Sequence, residues 1–417
     1  MKINLIEYFE DTIIRLPNKV AVIDGERTIT FAELSNKSKV LAKRIITTTN
    51  SKNIPIAVFL PKSIEAVYSD IAITYSGNAY MNLDVKNPAE RLHNILSLVN
   101  PSAIITNAKY RGIIEPIISE SIKLIDVDEV ISNQELENPY FFKNHIVDLI
   151  DTDPYCIINT SGSTGTPKGV VLNHRSFIDF MVQTFDEYKF SDKDVIGSLS
   201  PVVFDIWSYE ICLLMGKGAT IVVIQDTYSA FPIKILQLMQ QHNVSFIFWV
   251  PTIMVNIANM GLLKQISLPN LRLVWFAGEV FPTKQFNIWR RNLQTTKFAN
   301  FYGPIEITLD CVYYNIERKI ADDEPIPIGK PFRNTSILIL DETNQNIIEH
   351  NKEGELCVRG TSLAMGYYNN AEKTSVAFVQ NPLNHSYPEL IYRTGDVVII
   401  NEFGEIVFKG RKDSQIH

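Results

Sequence analysis

Tyr155-Cys156-Ile157-Ile158-Asn159-Thr160-Ser161-Gly162-Ser163-Thr164-Gly165-Thr166-Pro167-Lys168-Gly169-Val170-Val171-Leu172 is an apolar run, then glycines and hydroxyls around one lysine, then a second apolar run. Glycines let a backbone turn sharply and bring its N–H groups close to a polyanion, while Ser, Thr and Lys add hydroxyl donors and a positive charge. The spacing is not that of a Walker loop, because Pro167 precedes Lys168 and Gly169 follows it where Gly-Lys-Ser/Thr is required. A flexible linker is the plain alternative. A linker has no need of hydrophobic runs on both sides, so the stretch reads as a phosphate-handling loop between elements of a sheet.

Upstream of this loop, short apolar runs alternate with helical patterns: Ala57 to Leu60, Ile64 to Ile73, Ser102 to Thr106 and Tyr110 to Ser119. Downstream the alternation resumes with Val195 to Leu199, Thr220 to Ile224, Ile233 to His242, Phe246 to Val250 and Leu273 to Phe276. Such alternation is that of parallel α/β layers. Beyond Arg318 short alternating strands take over, at Ser336 to Leu340, Gly354 to Arg359 and Val397 to Asn401. The expected fold is therefore α/β, with two largely parallel subdomains, about 1–190 and 191–315, and a small β-rich subdomain, about 316–410. Thr47 to Asn53 and Asp322 to Pro327 read as exposed loops.

Composition narrows the function. The chain has 417 residues, enough for more than one core, and its 39 basic and 46 acidic side chains give a net charge of -7. That balance argues against a general binder of nucleic acid or of anionic membranes, so any anion needs a local site. Cys156, Cys212, Cys311 and Cys357 lie far apart in apolar surroundings and read as reduced core residues of a cytoplasmic protein. Acidic residues near Met1, and the absence of a run of about eighteen apolar residues, argue against a signal peptide or a membrane span. The seven histidines have no metal-ligand spacing.

Several shorter motifs follow the loop in order: Phe204-Asp205, Ala277-Gly278-Glu279, Asn300-Phe301-Tyr302-Gly303-Pro304-Ile305-Glu306, Tyr392-Arg393-Thr394-Gly395-Asp396 and Gly410-Arg411-Lys412-Asp413-Ser414-Gln415. In isolation, Gly395-Asp396 and Tyr302-Gly303-Pro304 are turns, Glu306 a solvated charge and Arg411 a surface arginine. Together, and with Phe31-Ala32-Glu33-Leu34 upstream, the series resembles the amino-acid adenylation domains of nonribosomal peptide synthetases and their stand-alone relatives.

The resemblance implies that a carboxylate attacks the α-phosphorus of ATP, giving an acyl-adenylate and pyrophosphate. Thr160, Ser161, Gly162, Ser163, Thr164, Gly165 and Lys168 would then hold the β- and γ-phosphates, and Glu306 would help hold Mg²⁺. It further implies Tyr302 against adenine, Asp396 and Arg411 on the ribose, and Gly278, Glu279, Asn300, Phe301 and Gly303 as further nucleotide contacts. Thr160, Lys168 and Glu306 are the residues it puts nearest the chemistry. The partners implied are the amino acid and a phosphopantetheinyl carrier protein, with no nucleic acid or membrane.

Asp205 speaks to substrate class, since the resemblance pairs it with an α-ammonium group; the alternative is an aspartate capping a helix that begins near Trp207. The implied pocket is Asp205, Ile206, Tyr209, Phe248, Trp275, Ala277, Phe301, Leu309 and Asp310. Its aromatics favour a small amino acid or a slim cationic side chain directed at Asp310. Those aromatics equally suit an ordinary core, and Asp310 a helix-surface charge. Ile305 replaces a usual hydroxyl, and Trp207 stands where a small residue is common, narrowing the way in for the acyl group. Asp413 is the implied hinge pivot, so the chain reads as a large core, 1–410, with a hinge remnant, 411–417, lacking the small C-terminal domain and weakly active alone. An acyl- or aryl-CoA ligase and a non-catalytic sensor of nucleotide or amino acid remain as rival readings.

Overall fold

A computed structural model describes residues 2–133, 142, 146–161 and 167–412. Gly162, Ser163, Thr164, Gly165 and Asp413 lie outside these described residues. The chain forms two compact units that interleave along the sequence: residues 1–193, 201–223 and 364–371 make the first, and 194–200, 224–363 and 372–417 the second.

In the first unit a sheet runs in the order Gly366–Tyr367, Pro167–Asn173, Pro154–Ser161, Ala79–Asn82, Pro55–Val58, Ala103–Thr106 and Lys123–Asp126. Its last five strands pair in parallel, and the first two are antiparallel additions. The helix Ala89–Val99 shows why the layer holds. Leu92, Ile95, Leu96 and Val99 form one apolar stripe at helical spacing and enter a core with Phe59, Met81, Ile104 and Ile157. The helix Ile64–Tyr75, started by the Ser63 side chain on the Ala66 N–H, is buried along all of its length except at Glu65. A second long helix, Phe31–Thr49, opens on a reciprocal Thr30–Glu33 cap. It runs through the first residues of the expected 47–53 loop and stops where Asn50 takes the left-handed conformation (φ 48°). The helix expected over Tyr110 to Ser119 ends sooner, at Ile114, and becomes a single 3₁₀ turn containing Pro116, which cannot donate to a continuing α-helix.

The second unit carries four parallel strands, Val195–Ser198, Phe246–Trp249, Leu273–Phe276 and Lys297–Tyr302, extended antiparallel by Val312–Asn315 and Lys330–Pro331. Its other sheet is antiparallel throughout, in the order Thr335–Leu340, Gly354–Gly360, Leu390–Ile400 and Phe378–Gln380, with Ile406–Arg411 also paired to Leu390–Ile400. Leu340, Cys357 and Ile391 form its core. All four cysteines are free and buried, as expected. Among the described residues no helix is long and apolar enough to cross a membrane.

Candidate active site

The glycine-rich stretch joins two antiparallel strands. Thr160 lies opposite Lys168 and Ser161 opposite Pro167. The Lys168 ammonium sits 4.9 Å from the centre of the Tyr367 ring, a cation–π contact supplied by the neighbouring edge strand. The described part of the stretch thus sets the Thr160 position beside that of Lys168.

In the second unit, Gly278, Glu279, Asn300, Phe301, Tyr302, Gly303, Asp396 and Arg411 converge on one cavity of about 390 Å³. Strand register produces the convergence. Asp396 and Arg411 are direct partners on adjacent strands, and the Arg411 guanidinium donates to Asp396 Oδ1 (3.1 Å) and to the Thr394 carbonyl (2.9 Å). The other Asp396 oxygen accepts from the Tyr302 hydroxyl. Burial, and then the negative charge of Asp396, push the Tyr302 phenol well above its ordinary pKa, so it remains a donor at neutral pH. Gly395-Asp396 is thus part of the strand Leu390–Ile400 rather than a plain turn.

Supporting groups fix this carboxylate. Gly395 takes φ +71°, its N–H donates to Glu355 Oε1 (3.2 Å), and a β-carbon there would crowd the Arg411 guanidinium. Burial raises the Glu355 pKa, but bonds from Arg393 (2.7 and 3.1 Å) prevail and hold it below the usual carboxylate range. Asn300 donates to the Pro327 carbonyl (2.9 Å), pinning the segment that supplies Ile326 and Ile328 to the cavity wall. The end of the expected 322–327 loop is accordingly buried. Glu279 accepts from the Thr252 N–H (3.0 Å) and hydroxyl at the start of the helix Pro251–Asn259.

Beyond Tyr302 the chain folds back on itself. A β-carbon on Gly303 would collide with the Leu309 carbonyl oxygen, and the Cys311 N–H returns to the Tyr302 carbonyl (2.9 Å). Glu306 is buried on the single turn Ile305–Ile307, and Thr308 and Leu309 follow with φ +53° and +62°. Neither residue favours that region, so this loop stores backbone strain next to a buried acid. Asp310 is 4% exposed and stands on the loop before the strand Val312–Asn315, not on a helix surface.

The pocket residues divide between the units. Phe248, Trp275 and Phe301 pack together in the second, with Trp275 and Phe301 ring centres 4.3 Å apart, and Ala277 directly follows the strand Leu273–Phe276 that carries Trp275. Asp205, Ile206 and Tyr209 share the first unit's helix Asp205–Lys217. Tyr209 is committed there, its hydroxyl 2.7 Å from that of Thr184 and its ring edge-on to Phe180. The helix begins at Asp205 itself. Phe204 holds the cap position without a side-chain bond, so Asp205 is not the cap, and it is 8% exposed. Trp207 is fully buried, and its indole donates to Asp70 Oδ2 (2.8 Å).

The pattern of the AMP-binding enzyme family matches residues 9–368. This chain is an AMP-binding enzyme. It is similar to delta-poly-L-ornithine synthetase of Acinetobacter baumannii (29% identity over 99% of this chain and 29% of that protein). Zwittermicin A synthase ZmaJ of Bacillus cereus (29%, over 98% and 76%) and gramicidin S synthase 1 of Brevibacillus brevis (29%, over 98% and 36%) are also similar. The chain thus spans about a third of the length of two of these relatives. The crystal structure of the nonribosomal peptide synthetase FmoA3 shares the fold, with a TM-score of 0.88 at 23% identity over 99% of this chain and 43% of that one.

Within this AMP-binding enzyme, sequence reading named the polar rim of the cavity but missed its apolar wall. Phe408, whose ring centre lies 6.3 Å from that of Tyr302, and Phe281, Ile326 and Ile328 line the cavity, yet in sequence they are ordinary hydrophobics. Asp70 and Asn82 were missed as well. A charged residue in the middle of a largely apolar helical stretch, Ile64 to Tyr75, was the available signal.

Proposed function

We propose that the protein activates an amino acid as its aminoacyl-AMP and that the intact protein passes the aminoacyl group to the phosphopantetheine thiol of a carrier protein. The observation that carries this reading is the Tyr302–Asp396–Arg411 cavity of an AMP-binding enzyme: a carboxylate with two acceptor oxygens between a flat aromatic and a cation, backed by apolar walls. Such a carboxylate suits the two hydroxyls of a ribose, and Tyr302 with Phe408 suits a purine face.

In the reaction, a substrate carboxylate oxygen forms a bond to the α-phosphorus, and the bond from that phosphorus to its bridging oxygen breaks, releasing pyrophosphate. Lys168 and Thr160 are the groups suited to the charge that accumulates on the leaving phosphates. Among the described residues no three His, Cys, Asp or Glu side chains form a metal cluster, and Glu306 supplies a single hard carboxylate. That donor set fits Mg²⁺, which binds through one or two carboxylates and otherwise through water and substrate phosphates. Held by Glu306, the ion would neutralise phosphate charge. Asp205, buried at the start of its helix, is the counter-charge for an α-ammonium group, which separates this reading from an acyl- or aryl-CoA ligase.

Calorimetric titration with a panel of amino acids, with Mg²⁺ and a non-hydrolysable ATP analogue present, tests the proposal. Saturable binding of one or a few amino acids is expected. Binding of fatty or aryl carboxylates with no amino acid bound would favour the CoA-ligase reading, and nucleotide binding alone would favour a sensor.

A further inference from the structure

Asp70 sits in the middle of the buried helix Ile64–Tyr75 and is 1% exposed. One of its oxygens, Oδ2, accepts from the Asn82 amide (2.9 Å) on the strand Ala79–Asn82 and from the Trp207 indole (2.8 Å). The other, Oδ1, has no hydrogen-bond partner among the described residues. A buried carboxylate held by two neutral donors is a costly arrangement, and apolar residues of similar volume would fill the space more favourably. Burial accordingly raises its pKa to about 7, although both hydrogen bonds pull the other way. Stability alone does not account for the group.

Its partner Trp207 is the third residue of the helix Asp205–Lys217. Residues two apart on a helix project about 200° from one another, so the side that carries Trp207 is opposite the side that carries Asp205. The N-cap residue of this helix, Phe204, makes no side-chain hydrogen bond. A directed bond from the indole adds a fixed direction to the packing of this buried turn, and so bears on the direction of Asp205.

We infer that Asp70, with Asn82, is a positioning residue: it fixes Trp207 and thereby aims the Asp205 carboxylate at the substrate's ammonium group. The inference rests on the ammonium-binding role proposed above for Asp205. It also revises the expectation for Trp207, whose bulk is taken up inside the first unit as a lever.

The test is calorimetry of the full chain with AMP present, titrated in turn with each proteinogenic amino acid and with L-ornithine. Asp70→Leu and Trp207→Phe should each weaken the amino acid that the wild type binds by about tenfold, while AMP affinity stays unchanged. The double variant should be no weaker than either single one, because both remove the same bond. Asp70→Asn keeps an acceptor oxygen for the indole and should bind within about threefold of wild type. Asp205→Ala is the control and should lose amino-acid binding outright. Wild-type affinity in Asp70→Leu and Trp207→Phe, with Asp205→Ala inactive, overturns the positioning role and leaves the ammonium site standing. Unchanged affinity in Asp205→Ala, or no response of the wild type to any titrant, removes the site and the inference with it. If Asp70→Leu does not fold, Trp207→Phe decides: unchanged amino-acid affinity there overturns the inference.

Discussion

Asp396 and Asp70 are both buried carboxylates that accept two side-chain bonds, but their settings differ. Asp396 borders an open cavity and has a guanidinium as one partner, so its charge is compensated and its bonds can be exchanged for those of a ligand. Asp70 is enclosed, has only neutral donors, and shifts its titration instead. On the roles proposed above, the compensated carboxylate in the cavity lining serves binding and the enclosed one serves geometry.

Four substitutions sharpen the contrast, taken from the largest effect downward. Gly303→Ala should cost at least about 3 kcal/mol in urea unfolding, because the added methyl meets backbone that cannot move away without opening the Thr308–Leu309 loop. A loss under 1 kcal/mol would show that the loop is softer than its geometry. Next comes Asp396→Ala, expected to weaken nucleotide binding by about 2 kcal/mol, roughly thirtyfold, measured by titration with AMP.

Asp70→Asn probes the enclosed carboxylate through pH. The folded pKa of about 7 lies above the ordinary 3.8, so between these values the folded state binds more protons than the unfolded one. Stability from this group is full below about pH 4 and is lost as pH rises toward 7, with a slope of at most about 1.4 kcal/mol per pH unit. Relative to wild type, Asp70→Asn should gain stability across that window. His174, held down to a pKa of about 3 by burial, has the opposite slope below 6.5 and cancels in the comparison. Parallel wild-type and variant curves would mean that Asp70 keeps its charge. The smallest effect belongs to Tyr302→Phe. If a ribose hydroxyl takes the place of the tyrosine on Asp396, AMP affinity should change by less than about threefold. A thirtyfold loss would show that the phenol itself binds the nucleotide.

The βα alternation and the antiparallel C-terminal strands were legible because elements carry their own period, as Ile235, Leu236 and Met239 do in the helix Pro232–Gln241, expected over Ile233 to His242. Much of the polar rim was legible too, since Tyr302, Asp396 and Arg411 belong to compact local motifs. What stayed hidden depends on pairing across long stretches of chain. The opposition of Asp396 and Arg411 passes through a register shift between Val397 and Val398, which no alternation reveals. Asp70 and Trp207 are 137 residues apart, and a tryptophan read along its own helix gives no hint of its partner. Thr308 and Leu309 carry no residue-type signal for a positive φ; tertiary folding imposes it.

The hairpin that carries Lys168 has a consequence for solution conditions. An anion site at the start of a helix draws on aligned peptide dipoles spread over a full turn. Here a strand, Pro167–Asn173, takes the helix's place, and it carries the Lys168 ammonium, which rests on Tyr367. If the hairpin holds phosphates as proposed, this part of the grip is a point charge, which dissolved salt screens readily. On the role proposed for Lys168, ionic strength would act on phosphate retention through this side chain.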